Sequence, residues 1–175
     1  DLRYTVDCEI RPDVIASRHH NADIIVGRGG TAASLKERNF LVPVVEIPVT
    51  SSDIACSIRK AMDIHGEMPV GVVGTINTVF NAHFMGNVFS VPIRVYPTAS
   101  VNIRDLIEGM ERAVADGCKL ILAGHRTCHY CDERGIPAGL ICSSVESVFQ
   151  AITEAKRCAN VSMVERQNSM IFRGV

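Results

Sequence analysis

Arg28 is the one charged residue in a turn that is otherwise glycine and threonine. The stretch Gly27-Arg28-Gly29-Gly30-Thr31 lies between an apolar run at residues 23–26 and a polar helical segment at residues 31–38. A turn of this kind at a helix start offers backbone N–H groups, a hydroxyl and a guanidinium, which together suit a carboxylate or phosphate. Nucleotide loops fit poorly. No Gly-Lys-Ser/Thr follows, and the third glycine of Gly-x-Gly-x-x-Gly is missing. A plain structural turn is the alternative, though an arginine placed there calls for a partner.

A second stretch, Gly124-His125-Arg126-Thr127, echoes the first. Residues 22–61 can be laid over residues 118–155, which matches Thr31 with Thr127 and Arg38 with Arg134. After a two-residue gap Pro43 matches Pro137 and Ile47 matches Ile141. Each copy reads strand, polar turn, short helix, strand, small hydroxyl residues, long helix. A duplication predicts two similar lobes, and in open α/β sheets ligands bind outside the carboxyl ends of the strands. The two turns would then be facing walls of one cleft.

Other chemistry is also encoded. Cys128 and Cys131 form a Cys-x-x-Cys pair at an expected helix start, where a helix lowers a thiol pKa, and His125 adds a possible zinc ligand. The second ligand pair of a zinc site is missing from the sequence. A two-lobed racemase would need a cysteine from each lobe, but the repeat sets Ala32 against Cys128. Glu46 lies within an apolar strand and reads as an inter-lobe contact or an edge residue more readily than as a base. His19, His20 and His83 read as surface or core residues.

The elements that must position these groups alternate in type. Strands are expected at residues 3–10, 23–26, 43–49, 69–74, 91–97, 119–124 and 136–142. Pro12 suits a helix first turn. A capping box of Thr50 and Asp53 opens a helix carrying Ile54, Ile58, Ala61 and Met62. Residues 76–84 read as a helix, Asn102 with Asp105 caps another, and Ser143 with Glu146 forms a second capping box. The polar tail from Asn160 reads as a connector. Alternating strands and helices predict an α/β fold with two Rossmann-like lobes, parallel sheets flanked by helices, and a ligand cleft between them.

Composition narrows the function further. The chain has 175 residues, 47% hydrophobic and 21% charged, with a net charge of −1 and no tryptophan. A nucleic-acid surface and base-stacking platforms are therefore not expected. No apolar run approaches the roughly 18 residues of a membrane span. Seven cysteines at irregular spacing read as reduced thiols of a cytoplasmic protein. The opening Asp-Leu-Arg-Tyr, without an initiator methionine, leads us to expect a fragment or excised domain.

The run from Ala22 to Ile54, with Gly-Arg-Gly-Gly-Thr-Ala and Pro-Val-Val-Glu-Ile, resembles the N-terminal receptor domain of propionate-catabolism activators, the PrpR N-terminal family. Residues 70–80, 95–124 and 135–157 agree with it. The resemblance implies a sensor and not an enzyme. It implies two Rossmann-like lobes, no cofactor, and an effector such as the tricarboxylate 2-methylcitrate. It also implies a sigma-54-dependent activator whose further domains contact DNA and sigma-54 RNA polymerase, and it leaves room for a homodimer. In relatives the second turn is often Gly-Gly or Gly-Asn with a small residue. His125 and Arg126 instead suit another acid or a phosphorylated metabolite.

The expected site has Arg28, Gly29, Gly30 and Thr31 as one wall, with Thr50, Ser51, Ser52 and Asp53 at the adjacent helix start. Gly124, His125, Arg126 and Thr127 form the other wall, flanked by Thr75, Asn77, Ser143 and Ser144. The expected organisation is a first lobe at 1–64, lacking its first strand-helix unit, and a second at 65–142. A C-terminal helix at 143–158 and a connector at 159–175 follow. The competing class is a redox- or metal-responsive module using Cys128 and Cys131, and a racemase-like enzyme is third.

Overall fold

The computed structural model describes residues 12–37 and 42–172, so the strand expected at residues 3–10 and Arg38 lie outside the described residues. The order is α1 (Pro12–Arg18), β1 (Ile25–Arg28), α2 (Gly29–Glu37), β2 (Val44–Ile47) and α3 (Ser51–His65). Then come β3 (Val70–Thr75), α4 (Ile76–Val79) and a 3-10 helix (Phe80–Asn87). The chain continues with β4 (Ile93–Thr98), α5 (Ile103–Ala115), β5 (Leu120–Ala123), α6 (His125–Glu133), β6 (Ala138–Leu140) and α7 (Val145–Phe172). The expected alternation is present. The pairing of strands divides it into two parallel sheets, β1-β2 and β4-β3-β5-β6.

The four-stranded sheet holds the larger core. Every residue of β5 is buried, as the unbroken apolar run Leu120–Ala123 requires of a strand covered on both faces. Val70, Val72, Leu120 and Leu122 share one cluster with Ile54, Ile58, Ala61 and Met62 of α3. Val73, Ile121 and Ala123 face the other way, towards Met110 and Ala113 of α5 and Cys131 of α6. Side chains alternate along each strand, so each face receives its own helices.

The long helices are exchanged between the sheets. α3 follows the two-stranded sheet but packs on β5 and β6. α7 follows the four-stranded sheet but packs on β1 and β2. The approach of α3 to β6 is close: a Cβ at Gly139 would stand 2.5 Å from the Cβ of Ala61. The helix counted in sequence with residues 1–64 therefore lies on the sheet of the next block. Residues 48–50 and 141–144 are the two crossovers.

Several local expectations are corrected. Residues 76–84 are not one α-helix; four α-helical residues tighten into the 3-10 helix. The polar stretch from Asn160 is helical and continues α7 to Phe172. Asn102 stands at the N-cap of α5 without a side-chain cap bond; its N–H donates to Ser100 Oγ at 3.0 Å, and that hydroxyl donates to Asp105 Oδ2 at 2.7 Å. At the start of α7 the capping pair is Ser144 with Ser147, one residue beyond the expected Ser143 with Glu146: the N–H of Ser147 donates to Ser144 Oγ at 3.2 Å.

Candidate functional site at the crossovers

The carboxyl end of β1 is set directly against the carboxyl ends of β3 and β4. Gly29 has φ +52°, in the left-handed region that favours glycine, and a Cβ there would stand 3.0 Å from Thr78 Oγ1. A Cβ on Gly30 would lie 1.7 Å from Cγ1 of Val101. These two glycines let one backbone approach the other sheet, with Thr75 bordering the same contact at 3.8 Å. Asn77 Nδ2 donates to Gly29 O at 3.2 Å and also to Glu46 Oε1, which Lys36 Nζ approaches through Oε2 at 3.0 Å. Asn81 Nδ2 donates to Val49 O at 2.6 Å. Glu46 is thus a contact between the sheets, as its place in a strand suggested.

The second turn lies beside the first. β4-β3-β5 is the place where the strand order reverses, so the loops after β3 and β5 border the crevice where such sheets take ligands. Thr75 and Asn77 stand on one side of it, and Gly124, His125 and Arg126 on the other. Arg126 Nη1 donates to Val101 O at 2.9 Å, so both turns touch the same residue. Gly124, His125 and Arg126 are exposed, while Thr127 is buried.

Thr50, Asp53 and Ser144 are brought together, but by one another. The N–H of Asp53 donates to Thr50 Oγ1 at 3.1 Å, and the N–H of Thr50 donates to Asp53 Oδ2 at 2.9 Å. The same carboxylate accepts from Ser147 Oγ and from the N–H of Ser144, both at 2.8 Å. Burial alone would raise the pKa of Asp53. Hydrogen bonds from Thr50, Ser147 and Ser144 outweigh it and hold the group at about 2, below its usual 3.8. Ser51 and Ser52 are exposed and Thr31 is half-buried. The sequence reading missed Ser57 and Ser147, because a lone hydroxyl on a helix carries no signal of a distant partner.

Arg28 closes the group. Its Nη2 donates to Ile141 O at 2.6 Å, across 113 residues of sequence. Desolvation lowers its pKa, and the charges of Cys142 and Asp53 oppose that shift. Arg28 Nε and Ser143 Oγ are both buried and have no hydrogen-bond partner. Buried polar atoms are nearly always paired, so this pair is exceptional. Ser143 stands on the second crossover, two residues beyond Ile141, whose carbonyl Arg28 holds from the end of β1.

The Cys-x-x-Cys pair departs from its expected chemistry. α6 begins at His125, so Cys128 lies inside the helix and not at its start. Burial and then the neighbouring Cys131 push the Cys128 thiol up to about 12, and burial pushes Cys131 up to about 11. Cys128 Sγ faces the carbonyls of Ala123 and Gly139. These are protonated packing thiols, the reverse of an activated pair. Among the described residues no three His, Cys, Asp or Glu side chains are placed to hold a metal. Ala32, opposite Cys128 in the repeat, is fully buried. No helix among the described residues is long and apolar enough to cross a membrane.

Comparison with known proteins agrees with this architecture. The crystal structure of an NtrC family transcriptional regulator from Clostridium acetobutylicum superposes with a TM-score of 0.74, covering 86% of this chain and 79% of that one at 20% identity. At that identity the likeness shows the fold. No curated protein matches the chain. Residues 12–165 match the model of the family described as propionate catabolism activator, PrpR_N, and the chain belongs to that family.

Proposed function

We propose that this is the effector-sensing domain of a sigma-54-dependent transcriptional activator, and that a small organic anion binds between the two sheets beside Arg28. The observation that carries this is the pair of buried, unpartnered polar atoms, Arg28 Nε at the end of β1 and Ser143 Oγ on the second crossover. A guanidinium N–H and a hydroxyl are both donors to a carboxylate oxygen. Asp53 does not satisfy this need: its oxygens accept from the N–H groups of Thr50 and Ser144 and from the Ser147 hydroxyl, and not from Arg28 Nε. Arg126, exposed on the second turn, supplies charge to a second acidic group of the ligand, and His125 beside it offers a ring nitrogen. A di- or tricarboxylate, 2-methylcitrate or a phosphorylated acid fits this donor set. Family membership supports a regulatory role in place of turnover. DNA and sigma-54 RNA polymerase in the cytoplasm would be contacted through other domains of such an activator.

Calorimetry with a panel of di- and tricarboxylates and phosphorylated acids tests the reading. Arg28→Ala is expected to weaken the best ligand by at least about tenfold, since a charge-assisted pair contributes roughly 1.5–3 kcal/mol. Arg126→Ala is expected to weaken ligands with a second acidic group more than monocarboxylates. An unchanged Kd in Arg28→Ala would remove that residue from the site. The absence of binding by every acid in the wild type would overturn the anion reading.

A further inference from the structure

α3 opens with a complete capping box, in which Thr50 and Asp53 each bond the other's backbone N–H. α7 opens with half of one. Ser144 Oγ accepts from the N–H of Ser147, and Ser144 O accepts from the N–H of Val148. The residue at the third helical position is Ser147, which has no carboxylate to return the bond. Asp53 returns it from the other helix, taking the N–H of Ser144 on Oδ1 and the hydroxyl of Ser147 on Oδ2. One side chain, 3% exposed, thus completes the first turns of two helices that pack on different sheets.

The second crossover is held along its length. Arg28 holds the carbonyl of Ile141, Ser57 Oγ accepts from the N–H of Cys142 at 3.1 Å, and Asp53 holds the N–H of Ser144. Between them Ser143 Oγ is without a partner. α7 has 28 residues, about 42 Å of helix, whereas β1 and β2 have four residues each, about 13 Å of strand. Most of α7 therefore runs past the strands it packs on, so a small movement at its first turn is enlarged at its far end.

We infer that Asp53 is the joint through which anion occupancy at Arg28 reaches α7, an inference that rests on the functional reading above. A ligand oxygen accepting from Arg28 and Ser143 pulls on the segment next to Ser144. Asp53 passes that pull into the first turn of α7 while keeping it registered to α3. It acts as a positioning residue, biasing a two-state arrangement of the sheets without touching the ligand.

Hydrogen-deuterium exchange on the full 175-residue chain tests this, with Asp53→Asn and the milder Ser147→Ala, and citrate as the probe. In the free variants, exchange at residues 144–149 is expected to rise about tenfold or more, and by more than in β3 and β5, which follow the global loss of stability alone. An equal rise throughout β3 and β5 in both variants would reduce Asp53 to a general stabiliser and overturn the inference. In the wild type, citrate is expected to slow exchange along α7. If it slows α7 equally in both variants, coupling bypasses Asp53 and the inference fails. If calorimetry finds no citrate binding to the wild type, the choice of citrate fails, and the anion reading fails only if the other acids of the panel do not bind either. The joint is then judged on the free-protein exchange alone.

Discussion

The two halves of the internal repeat, β1-α2-β2-α3 and β5-α6-β6-α7, share an order of elements but not a division of labour. The first half is packed and specialised. Its turn presses two glycines against Thr78 and Val101, its arginine crosses to Ile141, and its long helix supplies Asp53. The second half is more open. Nothing lies within 4 Å of a Cβ built on Gly124, and His125 and Arg126 are exposed. Where the first half has a carboxylate at the third helical position, the second has the hydroxyl of Ser147, which donates to that carboxylate. Similar units become complementary once each contributes what the other lacks.

Removing the carboxylate breaks the comparison most severely. Asp53→Ala leaves the N–H groups of Thr50 and Ser144 and the Ser147 hydroxyl without their partner. A loss of roughly 3 kcal/mol is expected in urea unfolding. Ser147→Ala removes a single hydroxyl bond to the same carboxylate and is expected to cost about 1 kcal/mol. Equal losses in the two variants would mean that the shared cap is not what joins the halves.

The two turns offer the next test. Gly30→Ala drives a methyl group into Val101 and is expected to destabilise by about 1–3 kcal/mol. Gly124→Ala, in open space at φ −75°, is expected to change stability by less than about 0.5 kcal/mol. Similar effects at both positions, by urea titration, would erase the distinction between a packed and an open turn.

A smaller effect appears with pH. The folded pKa of Asp53, about 2, lies below its ordinary 3.8, so its contribution is fully present above roughly pH 5. It is lost as pH falls through the folded value, and its full size is roughly 2 kcal/mol. The stability difference between wild type and Asp53→Asn is therefore expected to shrink between about pH 4 and pH 2. A difference that stays constant over that range would show that the ionised carboxylate is not what the cap requires.

Much of the fold was legible in residue order. Apolar runs of strand length, alternating with helical spacing, located the six described strands, although β1 lies two residues later than the expected 23–26 and takes Gly27 and Arg28 out of the turn, and Thr50 with Asp53 marked the start of α3. Where local reading failed, the reason was a competing partner elsewhere. Ser100 takes the N–H of Asn102 and donates to Asp105, and the cap of α7 moved one residue because Asp53 holds Ser144. Cys128 looked activated because its pair was expected at a helix start, and burial, with the neighbouring Cys131, reversed its tendency.

Sequence by itself determined the alternation of elements, the order of elements shared by the two halves, the family and the glycine-rich stretch around Arg28. Those features depend on local periodicity and on backbone freedom, both carried by neighbouring residues. Tertiary structure alone decided that α3 and α7 exchange sheets, that Arg28 reaches across 113 residues to Ile141, and that Asp53 caps two helices. Each of these is set by which buried donor finds which acceptor after the chain has folded, and sequence spacing carries no record of that choice.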